Sequence, residues 1–320
     1  MNIIKPTAFI DFEEEYDVYR KLESIGRVCY KSEDKATLES SKSFIRSIIK
    51  KGHESVIEHQ VFVLNVNKEL YYGIVHLLPK FLNLTSTELE KGNTRYLISG
   101  SARGFKDLLR KTESPFTQII VNYLYGIYPL LFECEMPTSK NFTPRVDIPK
   151  EVDQFCYIHK IITNEKIKGL SYKERLKHQF VTVRFICDRG ISHEAVRHRS
   201  ASFSQSSTRY CNYNDSRFGG QITLVDPLFY KSGLKRFLWW YASKTSEYAY
   251  ILLTKLLGST PQEARSVLNN SLQTELIMTA NIEEWELFFS LRDAKPAHPQ
   301  MREITAPLHQ EFKDKNYLYK

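Results

Sequence analysis

Residues 197–210 read RHRSASFSQSSTRY. Arg197, His198, Arg199 and Arg209 frame five serines, and no carboxylate in the run neutralises them. Guanidinium forks match phosphate oxygens in pairs, and hydroxyls beside them add short-range donors. If Ser202 to Tyr210 is extended, Gln205, Ser207 and Arg209 share one face while Ser204, Ser206 and Thr208 take the other. The first face then aligns an amide, a hydroxyl and a guanidinium, a set suited to a sugar phosphate or a planar base. The competing reading is a solvated basic helix end facing the helix dipole. It accounts for Arg197–Arg199 but leaves the hydroxyls and Arg209 without a reason.

Two other patterns invite a chemical reading and fail it. His193-Glu194-Ala195-Val196-Arg197 begins like the zinc motif HExxH, yet its fifth position is a cation instead of the second imidazole. HESVIEH places His53 and His59 six residues apart, on different faces of a helix. No metal is expected. Cys211 follows the arginine run, but no Cys/His spacing supports a thiol nucleophile.

Several elements must position these residues. In ATLESSKSFIRSIIKK (36–51), Phe44, Ile45, Ile48 and Ile49 fall on one helical face, and Gly52 supplies a stop. QVFVLNV reads as a strand after the polar HESVIEH, and VTVRFIC (Val181 to Cys187) as a second. ISHEAVRHR is a short helix leading into the arginine run. Between Lys68 and His178 the pattern is less regular, with helical stretches such as LYYGIVHLLPKFL and the basic segment NTRYLISGSARGFKDLLR. Further on, Leu234, Phe237, Leu238, Tyr241, Tyr248, Ile251 and Leu252 recur at helical spacing and are expected in the core. Thr260-Pro261-Gln262-Glu263 has the form of a capping box, and Asn281 a cap before WELFFSLR. No repeat, low-complexity tract or clear linker divides the chain. The irregular alternation of strands and helices predicts an α+β (mixed α/β) architecture.

The 320 residues suffice for a large core, and 42% apolar with 26% charged residues is an ordinary globular balance. A net charge of +8 favours anionic partners, whether nucleic acid or small phosphorylated ligands. The five cysteines are scattered and odd in number, as expected for reduced thiols in a cytoplasmic setting. MNIIKPTAFIDFEEEYDVYR turns acidic too soon for a signal peptide, and no apolar run approaches the roughly 20 residues of a membrane span.

The run Arg197-His198-Arg199, seven residues and then Ser207 resembles the RHRx7S signature of the flavin-dependent thymidylate synthases, the ThyX family. DRGISHEAVRHR before it, RYCNY after it, HESVIEH, PQEARSVL, LIMTAN and WELFFSLRDAKPAHPQMREI are similar to further blocks of that family, in the same order. The resemblance implies reductive methylation of dUMP to dTMP, with methylenetetrahydrofolate as carbon donor, FAD as cofactor and NADPH as its reductant. No enzyme cysteine attacks the uracil in that chemistry.

The resemblance also implies roles, position by position. Arg197, His198 and Arg199 fall at flavin contacts, as do Ser55, Gln205, Asn281 and Glu283. Glu194, Arg197, Gln205, Ser207, Thr208, Arg209, Arg265 and Arg292 fall where dUMP is held, with Arg265 reaching it from another subunit. Arg292 stands beside the uracil ring as the catalytic arginine, and His53 stands where flavin or folate is placed. Glu194 occupies a position that is often Gln. Glu283 and Leu287 occupy positions often basic or polar. The implied assembly is a homotetramer with shared active sites. The implied fold is a single catalytic domain over 1–320: a central, mostly antiparallel sheet flanked by helices, with a largely helical insertion at about 68–178. Two alternatives remain at this level: a basic nucleic-acid-binding module, and an inactive family member acting as a scaffold.

Overall fold

Val181, Val183, Phe185 and Cys187 alternate with Thr182, Arg184 and Ile186, so one strand presents an apolar face and a largely polar one. That strand organises the fold. In the computed structural model, which describes residues 1–12, 17–37, 39–78, 84–89, 95–135, 148–215 and 220–319, the strands are as follows. They are β1 (Asn2–Ile4), β2 (Thr7–Asp11), β3 (Val61–Val66), β4 (Leu84–Leu89), β5 (Arg95–Ser101), β6 (Ile158–Ile161), β7 (Phe180–Asp188), β8 (Ser202–Gln205), β9 (Thr223–Val225) and β10 (Gln273–Asn281).

The central sheet is antiparallel with the order β2-β7-β10-β8. β7 and β10 pair along their whole length, from Phe180 opposite Asn281 to Asp188 opposite Gln273. Their apolar face is covered by the helices Ile282–Arg292 and Pro299–Asp314, with Trp285, Phe288 and Phe312 fully buried. Trp285 keeps its indole N–H satisfied by donating to the Val181 carbonyl at 3.1 Å.

The opposite face is closed by hydrogen bonds. His59 lies in a 3-10 turn, Val56–His59, and its ring nitrogens meet Thr279 Oγ1 at 2.8 Å and Ser204 Oγ at 3.0 Å. Thr182 and Thr279 share a further bond of 2.8 Å. Complete burial pushes the His59 pKa down to about 3, so this histidine is a neutral structural group.

A second antiparallel sheet, in the order β4-β5-β3-β6, is built mostly by the segment after Val66. That segment therefore contributes three strands as well as the helices Lys68–Ile74, Ala102–Thr112 and Pro115–Ile127. Residues 79–83 and 90–94, which end one helical pattern and open the basic segment, lie outside the described residues. A cleft of about 330 Å³ lies between the two sheets, lined by residues that include Lys21, His59 and Gln179.

Local predictions hold where local chemistry decides. Ser40–Lys50 is helical with Ile45, Ile48 and Ile49 buried, and Gly52 follows at φ 75°, where glycine is at ease. Thr260 and Glu263 form the capping box, the Thr260 N–H donating to the carboxylate at 2.8 Å.

The aromatic stripe reverses expectation. The helix Gly233–Ile251 buries Ser243, Glu247 and Tyr250, while Leu234 is 70% exposed and Phe237, Leu238, Tyr241, Tyr248 and Leu252 stand in solvent with it. Its polar side is the anchored one. The Met1 ammonium pairs with Glu247 at 2.7 Å, Asn269 donates to Ser243 at 2.9 Å, and Trp239 donates to Ser271 at 2.8 Å. Periodicity finds an apolar face but not the surface that covers it, and the described residues offer none.

Candidate active site

Asp188 ends β7 and caps the next helix, Arg189–Ala195, by accepting the Ile191 N–H at 2.7 Å. The helix stops at Ala195, and the turn after it sends Arg197 and Arg199 outward and His198 inward. His198 Nε2 lies 2.9 Å from Glu284 Oε2, and the ring packs edge-on against Phe288. Burial lowers the His198 pKa. Glu284 opposes that effect, the charge of Arg292 adds to it, and the net direction is down. The imidazole is thus kept neutral and held against the helix Ile282–Arg292.

Arg292 closes the helix that Asn281 opens. One Nη donates to the Glu194 carbonyl at 2.9 Å, and the other lies 3.7 Å from the Glu194 carboxylate. The Arg292 carbonyl accepts from Thr305 at 3.1 Å. Its guanidinium is therefore oriented yet partly open, with Glu194 beside it. On the same helix, Glu283 and Leu287 face solvent. Asn281 accepts the Glu284 N–H at 2.9 Å, so its side-chain oxygen serves the cap.

β8 ends at Gln205, and residues 208–210 form a turn, so the extended run is shorter than the sequence suggests. The reason is local. The Ser206 N–H still pairs with the Glu275 carbonyl, but the Ser207 N–H bonds to Cys29, and Ser207 starts the turn by accepting from Tyr210 and Cys211. The alternation in exposure survives: Ser204, Ser206 and Thr208 are buried while Ser207 and Arg209 are more open. Gln205 spends its amide on Ser192 at 2.7 Å and Thr274 at 3.1 Å, which ties β8 to the Arg189–Ala195 helix.

A third group gathers around His53. Tyr30 bonds His53 Nδ1 at 2.7 Å and packs against Tyr210, whose ring lies under the Arg209 guanidinium. Ser55 is exposed two residues on. Arg265 is exposed after the capping box, close enough to contribute its charge to the depressed pKa of Arg189, for which burial is the larger cause. Among the described residues, Arg197, Arg199, Arg209 and Arg265 form no ion pair.

The structure thus joins Glu194 with Arg292, His198 with Glu284, and His53 with Tyr30, Tyr210 and Arg209. It leaves Ser55, Arg197, Arg199 and Arg265 open to solvent. Tyr30, Arg189 and Glu284 were missed in the sequence. Glu284 sits at the third position of a cap and reads as a capping residue, and Tyr30 and Arg189 reach their partners only through tertiary contacts. Cys211 is buried and its thiol is pushed up to about 11 by that burial, so it is not held as a thiolate. Among the described residues, no three His, Cys, Asp or Glu side chains converge as a metal site.

The family model described as "Thymidylate synthase complementing protein" matches residues 14–69 and 149–316, more than half of the chain, and passes over 70–148. The chain is similar to the flavin-dependent thymidylate synthase of Pyrococcus abyssi, 26% identical over 48% of this chain and 62% of the relative. It is 31% identical to the protein of that name from a Mycobacterium species (strain KMS), over 36% of this chain and 51% of the relative. For Thermococcus onnurineus the identity is 28%, over 43% and 56%. The chain spans between about half and three fifths of the length of these curated relatives.

Proposed function

Because the chain belongs to the thymidylate synthase complementing protein family, we propose that it is a flavin-dependent thymidylate synthase, converting dUMP to dTMP with methylenetetrahydrofolate as the carbon donor. The observation that carries this reading is the set of exposed arginines Arg197, Arg199 and Arg209, which form no ion pair among the described residues, on the motif whose neighbours hold Arg292 against Glu194. Exposed guanidinium groups with no carboxylate in reach suit anionic ligands. A flavin dinucleotide and a nucleotide monophosphate are two such ligands.

FAD supplies the hydride when bound, with NADPH as its reductant. The residues that would hold it are Arg197 and Arg199, with His198 fixed between them, and Ser55 and His53 from the turn before β3. Asn281 and Glu283 fit less well, since one is committed to a helix cap and the other adds a negative charge. Arg209, Ser207 and Arg265 would take the dUMP phosphate and sugar. Buried Thr208 and internally bonded Gln205 shape the floor of the site from below.

Arg292 has the chemical role. Held by the Glu194 carbonyl, its guanidinium is pre-oriented to stabilise negative charge on the uracil edge as the ring becomes nucleophilic at C5. Glu194 keeps that cation in place and presents an acceptor to the ring or a sugar hydroxyl.

The solvent-facing apolar side of the Gly233–Ile251 helix, continued by exposed Leu256 and Leu257, supports a homotetramer in which further copies cover it. Arg265, open on its own chain, then serves a neighbour's nucleotide. The stretch that the family match passes over, 70–148, supports an insertion within the proposed bounds of about 68–178 in a single catalytic domain. All five cysteines are free, and no described helix is long and apolar enough to cross a membrane, which supports a cytoplasmic enzyme. The test is spectroscopic. The purified protein should carry a flavin absorption that NADPH bleaches and that returns with dTMP formation once dUMP and methylenetetrahydrofolate are added. A salt-sensitive nucleic-acid affinity without any flavin uptake would overturn the reading.

A further inference from the structure

We propose that the helix Ala102–Thr112, which the family match passes over, is a clamp that sets the position of the His53–His59 turn, with Lys106, Arg110 and Arg103 as positioning residues for flavin binding. The inference rests on the flavin reading above, through His53 and Ser55.

HESVIEH divides its side chains among three directions. His53 and Ser55 face solvent, while Glu54 and Glu58 face the inserted helix and His59 faces the central sheet. Lys106 has a fully buried side chain, and its ammonium bonds Glu54 at 2.6 Å. Arg110 grips the same carboxylate with both nitrogens, at 2.7 and 3.0 Å, and also bonds Glu135. Arg103 donates to Glu58 at 2.7 Å, and the Ala102 N–H donates to the Gln60 carbonyl at 2.8 Å. Glu54, Glu58 and Gln60 are thus all bonded by one helix.

That helix is itself fixed. Ser101 caps it by accepting the Gly104 N–H at 2.9 Å, and Phe105, Leu108 and Leu109 are fully buried. The turn is held from the other side by His59 on Ser204 and Thr279. The turn that carries His53 and Ser55 is therefore held from two sides, and Tyr30 bonds the His53 ring itself.

A buried lysine is a costly way to gain stability, because an apolar side chain of similar volume often does as well. What an ion pair adds over an apolar contact is direction: the Glu54 carboxylate has one place where three donors meet. Burial alone would raise the Glu54 pKa, but the Arg110 bonds and the Lys106 charge outweigh it and hold the carboxyl at about 2. The Glu54 carboxylate is therefore charged throughout the neutral range.

FAD affinity of the flavin-stripped full chain, read by flavin fluorescence alongside thermal unfolding, tests the clamp. Lys106→Met preserves volume and removes the charge, and it should weaken FAD binding about 10-fold, as loss of a supporting contact does at other built sites. Lys106→Arg should restore most of it. Leu108→Ala, in the same helix but outside the ion pairs, should lower Tm while FAD affinity stays within about 2-fold of wild type. Arg103→Gln, at a side chain 37% exposed, leaves folding intact and should weaken FAD about 3-fold by the same argument. Wild-type affinity in both Lys106→Met and Arg103→Gln, or equal loss in Leu108→Ala, overturns the inference while leaving the flavin reading standing. A wild-type chain that takes up no FAD overturns that reading and the clamp with it.

Discussion

Lys106 and Arg199 carry the same charge in opposite circumstances. Lys106 is sealed between Glu54 and the Glu135 side of its helix, at 2.6 Å from the first and 4.0 Å from the second. Arg199 and its neighbour Arg197 stand in solvent with no carboxylate in reach among the described residues. Around the inserted helix, the charges of Lys106, Arg110 and Arg103 are each met by a carboxylate, so their free energy is spent on architecture. At the arginine motif Arg197 and Arg199 meet no carboxylate among the described residues, and the cations keep their capacity to bind something else. The contrast separates a region whose electrostatics are complete from one that awaits anionic ligands.

The contrast can be broken at its closed end first. Lys106→Ala leaves Glu54 with Arg110 alone and opens a void, and should cost about 3 kcal/mol in urea unfolding, in the range for breaking a buried pair. A loss below 1 kcal/mol would mean that the pair is not structural. At the open end, Arg292→Ala should lower dTMP turnover about 100-fold, the scale for losing one donor at developing charge. Its Tm should stay close to wild type, because the guanidinium bonds one carbonyl and pairs at 3.7 Å with the half-exposed Glu194 carboxylate at the rim.

Acid sharpens the comparison. His59 titrates at about 3 in the fold against 6.5 for the ordinary group, so its contribution to stability is present above pH 6.5 and lost as pH falls toward 3. Between pH 7 and 4.5 that loss should be about 2 kcal/mol, and His59→Asn should flatten this part of the profile. The smallest effect belongs to the open region. Arg197→Ala and Arg199→Ala should each change unfolding free energy by less than about 0.5 kcal/mol, since both side chains are exposed and form no ion pair among the described residues.

What could be read in the sequence follows the same division. β7, the Ser40–Lys50 helix and the caps at Thr260 and Asn281 come from neighbours within a few residues, and each stands where periodicity or capping chemistry put it. The alternation of Ser204, Ser206 and Thr208 against Ser207 and Arg209 was also legible, although the strand itself stops at Gln205. Contacts across long stretches were not. Lys106 reaches Glu54 from 52 residues away and His59 reaches Thr279 from 220, and neither pairing leaves a mark on local pattern. Nor did the polar-looking LTSTEL announce a strand; β4 exists because β5 offers it an edge. The stripe from Leu234 to Leu252 shows the same gap. Its spacing revealed an apolar face, and only the fold revealed that the face is bare.

The most direct test of the account is an FAD titration of the flavin-stripped wild-type chain beside an Arg197→Ala, Arg199→Ala double variant, with Tm measured on both. If these arginines are unpartnered because they hold an anionic cofactor, the variant should unfold at the wild-type temperature and bind FAD at least about 10-fold more weakly, as loss of charged hydrogen bonds implies. Equal FAD affinity in the two proteins, at equal Tm, would contradict it.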